Sequence, residues 1–472
     1  MTQQFLLSFK KDISLIEPEE TEQLVLQSSN YSLTFKQAQS GLKTALKTLA
    51  NGGATLAELS QMVQQDDENF LVLRFYAYLQ KFSYFGWLCH SVLAEGKAIA
   101  IAVPLTEDYQ FPYTEVAVES KYMLSRFAYS HQVEGQLLLE SPLSRSQVLL
   151  MDWKGVVLLG QLARPHSCHE LVTEILGVSL ETVKQFISLL LGAKMLCEVS
   201  EDGTITEQVN VTLAQWEFHD LLFHTRSRFR RHANPFGGTY RFLGKIEPPP
   251  ALKPRMSEEA FELYKPDLET LKTTEASFTQ VLEARKSIRQ HGEPLITVQQ
   301  LGEFLYRCAR VKNYYQTEHE DIAPRPYPSG GALYELELYP VVNSCKGIPS
   351  GFYHYHPLAH ELCRISDRTE TVEALLNDAR QSMRQQGMPQ VLIVIAARFQ
   401  RLAWKYESMA YALMLKHVGV LYQTMYLVAT AMKLAPCGLG GGNSDLFTKA
   451  AGCDYYAETS VGEFALGTQP KT

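Results

Sequence analysis

The sequence predicts an α+β protein: two tandem winged-helix-like domains come first, and a larger domain that packs buried helices on a mixed sheet follows them. Three observations support this prediction. The N-terminal half contains an internal repeat, the C-terminal half contains two strongly apolar strand patterns, and a long apolar helix follows those strands. Because a chain of 472 residues exceeds what one hydrophobic core usually organises, we expect several domains.

The composition is that of an ordinary globular protein, with 46% hydrophobic and 20% charged residues. The net charge of -7 gives no general attraction for nucleic acid or for an anionic membrane. The N-terminus has the pattern of neither a signal peptide nor a membrane span. The eight cysteines are scattered and include no Cys-x-x-Cys pair, so we expect reduced thiols in a cytoplasmic protein.

The repeat pairs residues 113 apart at two places, Leu24 with Leu137 and Leu49 with Leu162, and residues 108 apart near Leu88. In each copy a strand pair precedes a helix, a turn, a second helix, a longer apolar helix and a Gly-containing hairpin. This order is typical of a winged helix-turn-helix. We predict one such domain at 1–108 and another at 109–222.

Winged helices commonly bind DNA, but helix SLETVKQFISLLLGAKM of the second copy offers only Lys184 and Lys194. Phosphate contacts dominate affinity for DNA, so this surface argues against a nucleic-acid partner. A second possibility is a peptide clamp, in which the exposed edge strand of the wing pairs with an extended peptide. A scaffold or dimerisation arm without a ligand is the third.

Residues 223–268 predict an extended basic and proline-rich connector. The segment holds a cluster of arginines and then Pro249 and Pro250. A solvated face is the favoured interpretation of the basic cluster, ahead of a substrate or phosphate contact. The arginines are Arg226, Arg228, Arg230 and Arg231.

The last domain, 269–472, mixes helical and strand patterns. ASFTQVLEARKSIRQHG predicts a helix and a turn, and VQQLGEFLYRCARVKNYY an amphipathic helix with Leu301, Phe304, Leu305 and Cys308 on one face. ALYELELYPVV and QVLIVIAARFQ predict strands, the second central in its sheet. ESMAYALMLKHVGVLYQTMYLVATAMKL predicts a helix that faces water on a narrow stripe only.

Three motifs in this domain suit a phosphate-bearing ligand with a flat ring. Arg285, Ser287 and Arg289 place two guanidinium groups and a hydroxyl close together, as bidentate phosphate binding requires. The turn Pro328, Ser329, Gly330, Gly331 offers main chain that a flat ring approaches closely. The loop CGLGGGNSDLF again removes side chains, through Gly438, Gly440, Gly441 and Gly442. It lacks the lysine of a nucleotide-binding P-loop and the strand-helix context of a dinucleotide fingerprint.

These motifs, with WKYE at 404–407 and Gln423, resemble the flavin-dependent nitroreductase fold. Within that fold they are most similar to the azoline dehydrogenases, which oxidise thiazolines or oxazolines in ribosomally made peptides. The resemblance extends upstream to HDLLFHTRSRFRRHANPFGGTYRF. Two peptide-clamp domains ahead of such a domain resemble the cyanobactin thiazoline oxidases. The chain departs from the branch at Lys416 to Val420, where many members carry Glu and Gly-His, so the role of that histidine is not carried over.

The resemblance implies FMN as cofactor, a homodimer and an azoline-containing precursor peptide as partner. Arg285, Ser287 and Arg289 would bind the phosphate and ribityl oxygens, and residues 328–331 would line the isoalloxazine across the dimer interface. Gln423, Gly438, Gly440 and Gly441 complete the expected cofactor-binding set, with backbone N–H groups near the flavin N5 and O4 side.

Oxidising a thiazoline removes a proton and a hydride from adjacent ring carbons, so the site needs a base. Lys405 and Tyr406 match the Lys-Tyr pair of the family and are the expected catalytic residues. A lysine acts as a base only when burial or neighbouring cations lower its pKa, which we therefore expect for Lys405. Tyr406 would donate to the ring nitrogen or orient the lysine.

Other features receive a structural interpretation. His354, His356 and His360 in FYHYHPLAHE have a spacing that can bind metal, but a packed strand is favoured and no metal is expected. Cys437 is expected to be a small buried residue. The sequence offers no NAD(P)H site, so dioxygen is the expected electron acceptor. The alternatives are an NAD(P)H-dependent nitroreductase acting on small molecules and a non-enzymatic winged-helix regulator that senses flavin.

Overall fold

The computed structural model describes residues 5–18, 23–64 and 69–471, with the side chains of residues 69–71 left out. Residues 1–4, 19–22 and 65–68 of the predicted first domain lie outside this description. The chain forms two compact units, Met1–Asn234 and Pro235–Thr472.

The N-terminal unit contains twelve described strands and eight described α-helices. The strands are β1 (Leu6–Phe9), β2 (Ser14–Ile16), β3 (Gln23–Gln27), β4 (Ser32–Lys36), β5 (Ala54–Thr55), β6 (Leu88–Ala94), β7 (Lys97–Pro104), β8 (Lys121–Leu124), β9 (Tyr129–Val133), β10 (Gln136–Glu140), β11 (Ser146–Leu150) and β12 (Leu196–Val199). The helices are α1 (Ser40–Ala50), α2 (Leu56–Gln64), α3 (Asn69–Tyr84), α4 (Trp153–Gln161), α5 (Cys168–Glu174), α6 (Leu180–Gly192), α7 (Thr206–Val209) and α8 (Phe218–Arg226), with a 3-10 turn at Leu213–Gln215.

The order of these elements confirms the predicted repeat. Strands β3 and β4 precede α1, α2 and α3 in the first copy, and β10 and β11 precede α4, α5 and α6 in the second. In the second copy Asp152, Ser167 and Ser179 each accept a hydrogen bond from a first-turn N–H, so short polar side chains set where its helices begin.

The two copies end differently. The first closes with the predicted hairpin, β6 and β7. The second has only β12, which pairs with β8 and makes a single bridge from Val199 to Ile205 before α7 begins. The predicted second hairpin is therefore truncated: the chain reverses at Gly203, but its returning arm gives way to α7, where the Glu207 carboxylate accepts hydrogen bonds from Ser125 Oγ and Arg126 N–H.

One sheet runs through both copies, in the order β5-β1-β6-β7-β11-β10-β9. Strand β6 pairs with β1, and β7 pairs antiparallel with β11, placing Ala102 opposite Val148. In the first copy the wing therefore does not present the exposed edge that the peptide-clamp alternative requires, since β11 of the second copy already pairs with β7. The separate sheet β2-β3-β4 ends at β4 instead.

The C-terminal unit contains eleven described strands and seven described α-helices. The strands are β13 (Gly237–Gly238), β14 (Ala260–Glu262), β15 (Tyr315–Gln316), β16 (Asp321–Ile322), β17 (Leu336–Val342), β18 (Gly351–His356), β19 (Glu361–Ser366), β20 (Val391–Arg398), β21 (Tyr406–Glu407), β22 (Leu434–Leu439) and β23 (Glu458–Thr468). The helices are α9 (Leu268–Thr274), α10 (Phe278–Ala284), α11 (Val298–Ala309), α12 (Glu370–Ser382), α13 (Phe399–Ala403), α14 (Ala410–Ala431) and α15 (Ser444–Ala451), with a 3-10 turn at Gly330–Ala332.

Its main sheet has the order β14-β19-β18-β17-β20-β23-β22, which confirms a central position for β20. Every described pairing in it is antiparallel, whereas the sequence predicts a mixed sheet. Apolar patterns show that a strand is buried on both faces but not in which direction its neighbours run. Helices α11 and α14 pack on one face, and α12 and α15 on the other.

Helix α14 is less buried than its composition predicts. Its inward stripe includes Met414, Leu421 and Met425, but Tyr411 and Leu415, which flank this stripe, are 46% and 40% exposed. In this single chain the helix therefore presents apolar surface to solvent.

The predicted connector 223–268 contains the boundary between the two compact units and is structured at both ends. Its first residues end α8, and β14 adds an edge strand to the main sheet. Arg226 of the basic cluster is not a solvated side chain, because it pairs with Glu140 at 2.8 Å. All eight cysteines are free thiols. No described helix is both long and apolar enough to cross a membrane.

Candidate active site

The turn at 328–331 leads into β17 and has a strained main chain. Gly331, Ala332 and Tyr334 have φ angles of 64°, 57° and 47°, in the left-handed region that favours glycine. Ser329 Oγ accepts a hydrogen bond from the Tyr334 N–H at 3.1 Å. Gly331 is exposed, so its main chain is accessible to a ligand.

His417 ties this turn to α14. The Gly330 N–H donates to His417 Nε2 at 2.8 Å, and His417 Nδ1 lies 2.7 Å from Glu335 Oε1. Because Nε2 accepts, the ring carries its proton on Nδ1 and donates it to Glu335. His417 falls in the stretch where the sequence departs from the branch pattern, and here it holds the main chain of the turn.

Lys405 and Tyr406 pack against the same turn. A Cβ atom on Gly331 would lie 2.8 Å from the Tyr406 hydroxyl and 3.1 Å from Lys405 Nζ. Tyr406 is held by β21, in which it pairs with Gly238 of β13. The two expected catalytic side chains therefore meet the expected ring-binding main chain.

Lys405 also has an acidic partner. Its Nζ donates to Glu320 Oε1 at 2.8 Å, and it lies 5.2 Å from the centre of the Tyr240 ring. Burial by itself lowers the pKa of Lys405, but the hydrogen bonds to Glu320 and Tyr240 raise the pKa overall. The expected lowering of this pKa is thus wrong, because the sequence did not identify these two neighbours.

The Arg-x-Ser-x-Arg motif is joined to the glycine loop by Tyr426 of α14. Ser287 Oγ lies 2.7 Å from the Tyr426 hydroxyl, which accepts the Gly438 N–H at 2.7 Å. The Arg285 guanidinium stands 5.3 Å from the centre of the same ring. In the described part of the chain neither Arg285 nor Arg289 pairs with a carboxylate, which leaves both cations for an anionic ligand.

The rest of the glycine loop is open. Gly440 and Gly441 have space around the Cα atom, whereas a Cβ on Gly442 would collide with the Glu463 carboxyl group. Burial raises the pKa of that carboxyl. Gln423 is exposed on α14.

The predicted residues therefore form two groups, both anchored on α14. The turn 328–331 with Lys405 and Tyr406 lies at His417, and the Arg-x-Ser-x-Arg motif with Gly438 lies at Tyr426. Nine residues of helix separate these anchors, a rise of roughly 13 Å. Cations without acidic partners in one group and bare main chain in the other fit an elongated ligand with an anionic end and a flat ring. No hydrogen bond between described residues joins the two groups directly.

The three histidines of FYHYHPLAHE have separate partners. His354 lies 3.2 Å from Glu337, His356 accepts the Ala359 N–H, and His360 lies 2.9 Å from the Tyr355 hydroxyl. Among residues 5–18, 23–64 and 69–471 no cluster of three metal-ligating side chains occurs.

Sequence reasoning missed five residues of this site. Three of them stand in stretches that the sequence analysis singled out: His417 where the chain departs from the branch pattern, Glu335 in the predicted strand after the 328–331 turn, and Tyr240 at the end of the upstream resemblance. Glu320 and Tyr426 carried no such signal, and only the tertiary structure brings their side chains to the motifs. The five are Tyr240, Glu320, Glu335, His417 and Tyr426.

Three families match successive parts of the chain. Residues 1–113 match the ThcOx helix turn helix domain, residues 122–233 match the cyanobactin oxidase ThcOx, and residues 282–468 match the nitroreductase family. The nitroreductase match contains all the predicted site residues and indicates a flavin cofactor.

Two curated relatives and a solved structure are each similar to part of the chain. A nitroreductase-like protein of Methanocaldococcus jannaschii, MJ1384, is 28% identical over 39% of this chain and 85% of its own length. The microcin B17-processing protein McbC of Escherichia coli is 30% identical over 23% of this chain and 42% of its own. The E. coli microcin synthetase McbBCD complex with truncated pro-MccB17 bound is 19% identical, with a TM-score of 0.34, over 47% of this chain and 90% of that one.

We expect Gly331→Ala to lower flavin retention at least tenfold. The new Cβ meets Tyr406 and Lys405, and the left-handed backbone adds a cost of about 1–2 kcal/mol. Flavin absorbance per purified chain and the thermal midpoint measure both effects. Gly160→Ala, in open space on α4, is the control and should behave as the parent. Parental flavin content and stability in Gly331→Ala would contradict the placement of the site.

Two consecutive parts of the N-terminal unit match the ThcOx helix turn helix domain and the cyanobactin oxidase ThcOx, residues 282–468 match the nitroreductase family, and a microcin B17-processing protein is among the relatives. These matches confirm the resemblance carried by the motifs: the chain is an oxidoreductase of the nitroreductase fold, in its azoline-oxidase branch.

Proposed function

We propose that the protein oxidises thiazolines in a ribosomally made peptide to thiazoles, with FMN as cofactor and oxazolines as a second class of ring. The observation that carries this proposal is the contact of Lys405 and Tyr406 with the bare main chain of Gly331. This contact gives one site both proton-handling side chains and a surface for a flat ring.

FMN is the proposed flavin because the site offers cations for a phosphate. Arg285, Ser287 and Arg289 would hold the phosphate and ribityl oxygens, and residues 328–331 would line the isoalloxazine. The Gly438 N–H is already bonded to Tyr426, so the free N–H groups of the loop come from Gly440 and Gly441. When bound, FMN supplies a hydride acceptor for the ring carbon of the substrate.

The substrate ring would lie next to Lys405 and Tyr406. Tyr406 offers a hydroxyl that can donate to the ring nitrogen. The hydrogen bond to Glu320 favours the ammonium form of Lys405, so its action as a base requires that this proton leave first.

Dioxygen is the proposed electron acceptor, since no motif of the sequence accounts for NAD(P)H. Turnover that continues without dioxygen or another acceptor would refute this. The free cysteines favour the cytoplasm as the location, which cell fractionation tests.

A homodimer is proposed from the exposed apolar stripe of α14. Tyr411 and Leu415 form this stripe, and Gln423, an expected cofactor contact, is exposed further along the same helix. A second copy would cover the stripe and complete the flavin site. A protein that sediments at the mass of one chain would contradict the dimer.

The peptide is proposed to bind at β4 of the first copy rather than at the wing. A cavity of about 430 Å³ lies beside the edge of β4 and is closed by Leu42, Val63, Arg74 and Tyr78. An extended peptide would add to the β4 edge by backbone hydrogen bonds. Among the described residues, the lining includes the cations Lys36 and Arg74 and no carboxylate, which favours a peptide segment with acidic residues.

The second copy does not offer the same site. Its strand β11 corresponds to β4, and β7 already pairs with it along Ser146–Leu150. The antiparallel pairing of β7 with β11 supports the proposal that the matching edge of β4 accepts an extended strand. We therefore assign recognition to the first copy and a structural role to the second.

The activity test mixes the protein anaerobically with a thiazoline-containing peptide. We expect the oxidised-flavin absorption band to bleach and the peptide to become two hydrogens lighter. Bleaching by NAD(P)H alone would favour the nitroreductase alternative, which the similarity to MJ1384 keeps in view. A protein that neither contains flavin nor takes up FMN would overturn the enzyme assignment and favour a regulator.

Replacing Arg285 or Arg289 by Gln should raise the dissociation constant for FMN about tenfold each, because a charge-assisted hydrogen bond contributes about 1.5–3 kcal/mol. Binding of riboflavin, which lacks the phosphate, should change little. Lys286→Gln removes a neighbouring exposed cation and is the matched control. Equal losses for FMN and riboflavin would argue against a phosphate contact. Quenching of flavin fluorescence measures each constant.

Arg74→Glu should weaken binding of the fluorescein-labelled precursor peptide used in the activity test at least tenfold. The change places a negative charge in the groove beside β4 and breaks the hydrogen bond from Arg74 to Tyr78 at 2.8 Å. Arg145→Glu makes the same charge change at an exposed position before β11 and should leave the anisotropy titration unchanged. If Arg145→Glu weakened peptide binding and Arg74→Glu did not, the peptide would be recognised by the second copy instead.

A further inference from the structure

Glu320 is a buried carboxylate that the proposed reaction has not yet used. It lies between β15 and β16, and its side chain is 4% exposed. One oxygen, Oε1, accepts a hydrogen bond from the Lys405 ammonium group at 2.8 Å. The other, Oε2, is buried without a hydrogen-bond partner among the described residues. A buried carboxylate oxygen without a donor is unfavourable, so its retention calls for an explanation.

Lys405 lies between Glu320 and the main chain of Gly331, where the ring is proposed to bind. Lys405 Nζ is close to both Glu320 and the exposed main chain of Gly331. Of the other ionisable groups nearby, Arg401 of α13 attracts Glu320, and Tyr240 and Tyr406 flank the lysine. His319 stacks edge-on against Tyr240.

We propose that Glu320 is the final proton acceptor of the oxidation and acts through Lys405. Lys405 passes an ammonium proton to Glu320, and its freed amine then takes the proton from the substrate ring carbon. An oxidised flavin, when bound, would accept the hydride from the adjacent carbon. At the end Lys405 is again an ammonium, Glu320 is a neutral carboxylic acid, and the ring has lost one proton to the Lys405–Glu320 pair and one hydride to that acceptor. Because Glu320 does not touch the substrate, it is a positioning and proton-holding residue.

This inference rests on the proposed function, and it changes the interpretation of Lys405. A lysine whose pKa is raised by its partners is a poor base alone. When it is paired with a carboxylate, the protonated lysine can pass its proton to that carboxylate and then accept the proton of the substrate. The unpartnered Oε2 fits this role, since protonation of the carboxyl group disrupts no bond at that oxygen.

The test compares Glu320→Gln, Glu320→Asp and Glu318→Gln in the full chain. Without the carboxylate, Lys405 must lose its proton to solvent before it can act. Oxidation of the thiazoline peptide by Glu320→Gln should therefore fall at least a hundredfold at pH 7 and recover about tenfold per pH unit above it. Glu320→Asp should restore the parental pH profile at a reduced rate. Glu318→Gln, an exposed change in the same hairpin, should match the parent.

A second readout does not depend on catalysis. The pH dependence of Lys405 acetylation by acetic anhydride, followed by mass spectrometry, reports its proton affinity in each variant. We expect Lys405 to react faster at pH 8 in Glu320→Gln than in the parent, since the anion that holds its proton is gone. A uniform loss of rate at every pH, or unchanged Lys405 labelling in Glu320→Gln, would overturn the relay. Absence of thiazoline oxidation by the parent would instead refute the proposed function, while the labelling would still test the pair.

Discussion

The geometry of the site depends on one hydrogen bond, from the Gly330 N–H to His417 Nε2. The turn before β17 contains three residues with left-handed φ angles, a conformation that the chain does not adopt unless its surroundings impose it. His417 can accept this bond because Glu335 holds its other nitrogen. The long helix therefore fixes the position of the turn, and through the turn the surface that Lys405 and Tyr406 face.

The sequence predicted most of the scaffold and about half of this site. The repeat, the order of strands and helices along the N-terminal unit, the central position of β20 and the amphipathic face of α11 follow from local patterns that need no knowledge of partners. Strand direction does not, and the mixed sheet was wrong for that reason. The prediction of a lowered pKa for Lys405 was wrong for a similar reason. Glu320 is 85 residues away in the sequence, and no local pattern shows that its carboxylate contacts the Lys405 amine.

Sequence similarity between the two winged-helix copies hides a functional difference. The repeat suggests two equivalent clamps, but one sheet joins them. Strand β7 of the first copy pairs with the edge of β11 in the second copy. A strand edge can pair with only one neighbour at a time. Because β7 pairs with β11, the β11 edge of the second copy is occupied, whereas the corresponding edge of β4 in the first copy has no partner among the described strands. Asymmetry thus follows from the pairing itself and needs no divergence at the binding residues.

A network of buried charges stands behind the turn and beside β17. Glu337 is fully buried; desolvation opposes its charge, but His354, Arg325 and Arg398 more than compensate and lower its pKa to about 2. Such networks seldom add net stability compared with apolar packing, because desolvation offsets the attraction. Their effect here is positional, because each partner constrains where the neighbouring strand and the helix that follows it can lie.

Arg401 extends the constraint by donating hydrogen bonds to the main-chain oxygens of Leu333 and Asp321, so one guanidinium holds both the turn and the hairpin that carries Glu320. The distance between Lys405 and Glu320 is thereby set by the same network that shapes the turn, which is why the proton-handling pair and the ring-binding main chain form a single site.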